Sequence, residues 1–188
     1  AGAAPTPFPV KTPPYLRALS AALTLLGAVV SVTAAIPLLD GLGTHSRKIT
    51  TRSPEAQQYF NQGLRLLYGF NHGLALRSFE EAARLDPECA MAHWAIALAH
   101  GPHINFPLVP PPAAEAAWAE LQLAQKYAPQ ASPVERDLIT ALAARYASPQ
   151  PEDRSGLDRA YADAMRKAWQ AHPHDADVGA LFAEAMMD

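Results

Sequence analysis

Histidines in the middle of the chain raise the question of a metal site, because neutral imidazole is a common ligand of transition metals. They are His72, His93, His100 and His103. His100 and His103 have i, i+3 spacing, but the Gly-Pro pair between them ends a helix there. His93 and His100 lie two turns apart, about 10 Å along a helix, too far to share one ion directly. We therefore predict no metal site, and expect buried or helix-terminal histidines with hydrogen-bonded rings.

Other motifs that carry chemistry are missing from the sequence. It contains no CxxCH haem motif, no P-loop, no nucleophile elbow and no HExxH. The single cysteine, Cys89, cannot form an internal disulfide. The formal net charge of −3 comes with no stripe of Lys and Arg, which argues against a nucleic-acid partner. We therefore predict a non-enzymatic protein without a cofactor.

An uncharged run of 22 residues lies between Arg17 and Asp40. As a helix it would be about 33 Å long, which matches the hydrocarbon core of a bilayer. We predict a Pro-rich tail over residues 1–15 and a transmembrane helix over residues 16–39. A cleaved signal peptide ending near Ala34 is the alternative. The run is long for a signal core, and the chain begins Ala-Gly, as after removal of an initiator Met, so an uncleaved anchor is preferred.

Basic residues on the two sides of this run are nearly balanced, so the positive-inside rule alone does not orient it. A short basic tail before a large domain favours a cytoplasmic N-terminus and an extracytoplasmic, periplasmic domain. Residues 40–53 are rich in Gly, Ser and Thr and lack apolar periodicity, which predicts a linker. Ser53 and Pro54 then have the residue types of an N-cap and a first helical position.

From Pro54 onward the pattern is helical and interrupted by prolines. In the first part, Gly63 and Ala75 allow two helices to approach, Phe79 fills the space between units, and Ala82 packs closely before Pro87. The same offsets return at Ala117, Leu121, Ala124 and Pro129. This spacing predicts an internal repeat built from helix pairs.

These residues match the tetratricopeptide repeat (TPR) position for position in the first unit, with Tyr59 where the family usually has Trp. A third unit opens with a capping box from Ser132 to Glu135 and is more divergent, because Tyr161 replaces the expected Ala. The resemblance covers residues 54–188, three units and the first helix of a fourth. The stretch GFNHGLALRSFEEAARLDPECAM is also similar to bacterial, extracytoplasmic TPR proteins. The resemblance to the TPR family implies an all-α fold of helical hairpins stacked in a solenoid.

The resemblance also implies a concave, protein-binding groove lined by the first helix of each unit. Its positions in this chain are Gln57, Phe60, Leu64, Leu67 and Tyr68, followed by Met91, Trp94 and Leu98. Packing between units is the alternative role. For Leu64 and Leu98, packing between units is as well supported as groove lining. For Phe60 and Trp94, groove lining is the favoured role. The carboxylate clamp of chaperone-binding TPR proteins is not expected, because Phe60 and Trp94 stand where that clamp needs basic residues.

Two further segments complete the predictions. The insertion HGPHINFPLVPPP is rich in proline, and we expect it to be ordered, with Phe106 and Leu108 resting on a neighbouring surface. The last helix, DADVGALFAEAMMD, has an apolar face whose exposed part comprises Leu181, Phe182 and Met186. Either another subunit covers this face or the natural chain continues, and the second is preferred because the repeat stops mid-unit.

The sequence thus predicts a membrane-anchored TPR scaffold, an accessory or assembly subunit of a membrane complex. The expected partners are other protein subunits and, through residues 16–39, the lipid bilayer. A bacterial respiratory or photosynthetic complex suits such an anchored scaffold. The alternative is a metal-binding or enzymatic periplasmic protein that uses the His-containing insertion after Ala99.

Overall fold

Seven α-helices follow one another in the part of the chain that the computed structural model describes, which is residue 2 and residues 36–187. They are α1 (Pro54–Tyr68), α2 (His72–Leu85), α3 (Ala90–Ala99), α4 (Pro111–Tyr127), α5 (Pro133–Ala143), α6 (Ser155–Ala171) and α7 (Ala176–Ala185). A short 3₁₀ turn, Ala128–Gln130, follows α4. The described residues contain no β-strand, so the all-α class predicted from the sequence is confirmed for them.

The helices begin at residues whose side chains satisfy the first backbone N–H groups. Ser53 Oγ accepts a hydrogen bond from the Ala56 N–H at 3.1 Å, and Pro54 is the first residue of α1. The predicted capping box is present at the start of α5, where Glu135 also accepts from the Ser132 N–H at 2.7 Å. Asp175 caps α7 by accepting from the Val178 N–H. Local sequence therefore sets these helix starts.

Gly63 lets α1 and α2 pack closely. A Cβ atom at this position would lie only 2.4 Å from Phe79 Cε1, a separation that real Cβ atoms essentially never show. Phe79 fills that space and is fully buried, as are Ala75 and Ala82 on the same helix. The close approach predicted from Gly63 is confirmed.

Helix α3 lies at the centre of the fold, where it contacts α1, α2, α4 and α5. All of its residues, Ala90–Ala99, are buried. A helix surrounded on every side has no polar face, which explains why its sequence shows no amphipathic stripe. Trp94 is anchored there by a 3.1 Å hydrogen bond from its indole Nε1 to the Leu138 carbonyl.

Residues 36–53, the end of the predicted membrane helix and the predicted linker, form no helix or strand and run over the helices. The Leu39 N–H donates to Gln62 Oε1 at 2.7 Å, and Gln62 Nε2 donates to the Pro37 carbonyl at 3.1 Å. Farther along, Arg47 and Ile49 are buried against the helices. We call residues 45–52 the strap, because it joins helices that are far apart in the sequence.

The membrane localisation predicted from the sequence, with its orientation, is corrected by the structure. Within the described residues, no helix has both the length and the apolar character needed to cross a bilayer. The described end of the predicted span, residues 36–39, is not helical and packs on Gln62. Residues 16–35, and the predicted tail apart from residue 2, lie outside the described residues.

Candidate functional site

Apart from Gln57, which binds the backbone of residues 47 and 49, the residues predicted to line a groove fall into two groups. Phe60, Leu64, Met91 and Trp94 are at most 2% exposed and belong to the hydrophobic core. They hold the helices together and present no surface to a partner, so the packing alternative is the correct one for them. Leu67, Tyr68 and Leu98 have a different position, at the edge of the core.

These three residues converge on an open cavity of about 230 Å³, which we call the apolar cavity. Leu67 and Tyr68 come from the end of α1, Leu98 from the end of α3, and Leu181 from α7. The rim is completed by exposed apolar side chains of other segments, namely Phe70, Ile104 and Met187. Four predicted residues from three helices are thus brought to one cavity.

Phe70 reaches this rim because of an unusual backbone conformation. Its φ angle is 58°, in the left-handed region that bulky residues rarely adopt. The turn after α1 holds it there, since the Asn71 N–H donates to the Leu66 carbonyl at 2.8 Å and the Phe70 N–H to the Leu67 carbonyl at 2.9 Å. These are the two hydrogen bonds of a Schellman motif, so the way in which α1 ends places Phe70 at the rim.

A pair of stacked histidines forms another side of the apolar cavity. The rings of His72, on α2, and His103, in the insertion, are nearly parallel, with centroids 3.9 Å apart and an interplanar angle of 10°. Burial, and then the neighbouring His103, lower the pKa of His72 below its ordinary value. His72 is therefore neutral at neutral pH. Within the described residues, no group of three or more His, Cys, Asp or Glu could hold a metal ion.

The predicted hydrogen-bonded histidine ring is confirmed at His93. Its Nδ1 lies 2.6 Å from Glu120 Oε2, and its Nε2 lies 3.0 Å from the Pro87 carbonyl oxygen. Burial alone would lower the pKa of His93, but these two acceptors raise it above the ordinary value. His93 therefore joins α3 to α4, and both of its ring nitrogens have hydrogen-bond partners within the fold.

The strap covers the surface next to the apolar cavity through hydrogen bonds between its main chain and helix side chains. Gln57 contacts two strap residues: its Nε2 donates to the Arg47 carbonyl at 2.8 Å, and its Oε1 accepts from the Ile49 N–H at 2.9 Å. Asn61 Oδ1 accepts from the Arg47 N–H at 3.1 Å. Glu135 accepts from both the N–H and the hydroxyl of Thr50, at 2.7 and 2.6 Å.

An ion-pair cluster fixes the strap to α7. Arg47, only 8% exposed, donates from Nη1 to Asp175 at 2.8 Å and to Asp177 at 3.1 Å. Burial alone would raise the pKa of Asp175, but the hydrogen bond and charge of Arg47 lower it below the ordinary value. The Tyr68 hydroxyl donates to Asp177 at 2.8 Å, and burial with this carboxylate raises the pKa of Tyr68. Tyr68 therefore belongs to both the cluster and the apolar cavity.

The insertion contacts were predicted wrongly. Phe106 and Leu108 are 50% and 71% exposed, so they do not rest on a neighbouring surface. A tight turn precedes Leu108, in which the backbones of His103 and Phe106 exchange two hydrogen bonds of 3.2 and 2.8 Å. The two side chains line one wall of a broad opening of about 660 Å³ that also contains Trp118.

The apolar face of the last helix is partly covered. Leu181 is buried at the apolar cavity, contrary to the prediction that it is exposed. Phe182 is half-buried and stacks on Trp169 of α6, with ring centroids 5.6 Å apart. Met186 is exposed, as predicted. The preceding helix thus covers much of a face that the sequence left without a partner.

Sequence reasoning missed the polar half of this site, which comprises Arg47, Asn61, Glu135, Asp175 and Asp177. The strap gave no sequence signal, because one of its two buried residues, Arg47, is charged and its neighbours show no alternation of apolar and polar types. Comparison of the chain with models of protein families, with curated proteins and with solved structures found no match.

Proposed function

We propose that this protein is a non-enzymatic helical scaffold of the TPR type, an accessory or assembly subunit that docks a partner protein at the apolar cavity. The observation that carries the proposal is the convergence of Leu67, Tyr68, Leu98 and Leu181 on one open cavity with an exposed apolar rim.

Equivalent burial in successive helix pairs supports the repeat. Ala75, Phe79 and Ala82 of α2 are fully buried. At the same offsets in α4, Ala117, Leu121 and Ala124 are fully buried too. A stack of similar units predicts this equivalence, because each second helix packs on its neighbours through the same positions.

The size and chemistry of the cavity favour a protein side chain as its occupant. Pockets for drug-sized ligands are roughly 300–1,000 Å³, whereas this one measures about 230 Å³. A single large apolar side chain suits that volume. The exposed Phe70, Ile104 and Met187 surround the opening and would exclude water around such an anchor.

Substitutions at the rim test the docking proposal without touching the core. In the tagged full-length chain, Ile104→Glu combined with Met187→Glu should abolish co-purification of the partner from the organism of origin. Leu108→Glu is the matched control, since Leu108 is even more exposed but lies outside this cavity. A photo-crosslinker at position 104 should capture the same partner. Unchanged co-purification in the double variant would refute the proposal.

Metal binding through the His-containing insertion has one observation in its favour, the meeting of His72 and His103. A metal ion lies in the plane of each imidazole that binds it, and two rings stacked in parallel planes do not converge on one ion. The scaffold is therefore the better supported function. Elemental analysis of the purified full chain tests this choice, because stoichiometric metal lost in His103→Ala would favour the alternative.

A further inference from the structure

The surface under the strap has the chemistry of a site that binds a main chain. We call it the polar track, and it comprises Gln57, Asn61, Glu135, Asp175 and Asp177. These residues belong to α1, to the start of α5 and to the start of α7. They are more than 110 positions apart at the extremes, so the track exists only in the folded protein.

Half of the hydrogen bonds between the track and the strap involve strap backbone groups, and the other half involve the side chains of His45, Arg47 and Thr50. Four hydrogen bonds of 2.7 to 3.1 Å join it to the N–H or carbonyl groups of Arg47, Ile49 and Thr50. Such contacts accept almost any sequence, because every residue except proline offers the same donor and acceptor. Affinity then comes from the main chain, and selectivity comes from the side chains that enter pockets.

Two strap side chains enter such pockets, in alternation. Arg47 and Ile49 are buried, while Lys48 and Thr50 between and after them are exposed. Arg47 meets two carboxylates of α7, and Ile49 joins the hydrophobic core cluster. The track therefore selects a positive, hydrogen-bonding side chain followed two residues later by a β-branched apolar one.

The chain just before the strap contains two glycines in the left-handed region, and the strap itself has little apolar burial. Gly41 and Gly43 have φ angles of 81° and 79°, and nothing lies within 4 Å of the position a Cβ atom would take on either. Ile49 is the one buried apolar side chain among residues 45–52. The strap is therefore held mainly by hydrogen bonds, which continue to Asp86 at its C-terminal end. A segment with few buried apolar side chains is the kind that opens locally before the whole protein unfolds.

We infer that the polar track is a second protein-binding surface, whose ligand is an extended partner segment of the pattern Arg-x-Ile or Arg-x-Val. The strap is its occupant in cis, and the partner segment displaces it. This inference goes beyond the docking proposal and does not rest on it, because the track and the apolar cavity have no residue in common. They meet only where Tyr68 of the cavity donates a hydrogen bond to Asp177 of the track.

Competition with a tethered segment determines how the inference is tested. A short tether gives an effective concentration of the order of millimolar, so a free peptide binds the wild-type protein weakly. A substitution that weakens the strap's own binding to the track removes this competition. Arg47→Ala does so and leaves both aspartates in place for an arginine supplied in trans.

The probe is a fluorescent peptide with the sequence of residues 44–52, titrated into the full-length protein and followed by anisotropy. We expect at least tenfold tighter binding to the Arg47→Ala protein than to wild type. A peptide lacking the Arg47 side chain should lose that gain, whereas one lacking the exposed Lys48 side chain should keep it. In the protein, Lys48→Ala is the matched control and should bind like wild type.

Equal binding to wild type and to a folded Arg47→Ala protein, shown by its helical circular dichroism, would overturn the inference. If Arg47→Ala does not fold, hydrogen exchange on the wild-type protein decides. The amides of Ile49 and Thr50 should then exchange at least a hundredfold faster than those of α3, because the strap must open while the helices stay folded. Exchange of all these amides at one common rate would refute displacement.

The outcome is separable from that of the docking proposal. Ile104→Glu with Met187→Glu alters the apolar cavity and none of the residues of the polar track. Peptide binding to the strap-weakened protein should be the same with and without these two changes. Loss of peptide binding in their presence would show that the two surfaces are one site, and the inference of a separate track would fail.

Discussion

The polar track and the apolar cavity lie side by side and meet at Tyr68, yet only the first is covered by the chain itself. The track contains carboxylates and amides whose hydrogen bonds must be satisfied wherever they are removed from water. The strap satisfies them with its backbone and with Arg47. An open apolar cavity leaves no polar group unpaired, and its lining loses only van der Waals contacts. The fold therefore tolerates this cavity uncovered. Polarity therefore decides which half the chain covers and which half stays open.

The largest expected effect comes from removing the arginine that holds the covered half. Arg47→Ala leaves Asp175 and the buried Asp177 without their cation. Breaking a buried pair in this way costs about 3 kcal/mol of unfolding free energy. Urea denaturation measures it, with Lys48→Ala as the control that should change stability by less than about 0.5 kcal/mol. Similar stabilities for the two variants would mean that the strap contributes little to the fold.

Lowering the pH should weaken the ion pair between Arg47 and Asp175. The resulting loss of unfolding free energy should therefore be no larger than the loss caused by Arg47→Ala. Asp175 has a folded-state pKa below its ordinary value, so its contribution is fully present above that ordinary value, about 3.9. The contribution is lost as the pH falls through the lower folded-state pKa. The difference in stability between wild type and Arg47→Ala should therefore shrink below about pH 4. A difference that stays constant from pH 6 to pH 3 would exclude this linkage.

Tyr68→Phe separates the two halves at the residue where they meet. It removes the hydroxyl that donates to Asp177 and keeps the ring that lines the apolar cavity. Loss of a hydrogen bond to a charged acceptor should lower the unfolding free energy by about 1.5 kcal/mol. Partner co-purification through the cavity should be unaffected. If Tyr68→Phe abolishes docking while stability is unchanged, the hydroxyl belongs to the partner site instead.

The smallest effect is expected on the open side, at the stacked histidines. Because burial lowers the pKa of His72, its neutral form favours the folded state, and this contribution is present above the ordinary value of about 6.5. It is lost as the pH falls through the folded-state pKa. Wild type should therefore lose stability relative to His72→Gln as the pH falls below about 6.5. Thermal unfolding across that range checks the sign, and an unchanged difference would contradict it.

Particular residues show how far the sequence predicted the fold. Ser53 with Pro54 and Ser132 with Glu135 started helices where expected, because capping depends on residues within one turn. The close approach at Gly63 was predicted from its spacing to Ala75 and Phe79, because that spacing is typical of two helices packed as a hairpin. The site was harder to predict. Trp94 and Leu98 lie on one uniformly apolar helix, and nothing local distinguishes the core residue from the one at the edge.

The amino-acid sequence by itself therefore determined the all-α class, the helix starts and the close approach of α1 and α2. Only the tertiary structure decided that residues 45–52, predicted as part of a linker, form a strap over a polar track, and that Leu181 closes an apolar cavity. The physical reason is the separation along the chain between the residues that interact. Caps and helix periodicity act over a few residues, whereas Arg47 and Asp177 meet across 130 positions, and such a pairing leaves no pattern in either segment alone.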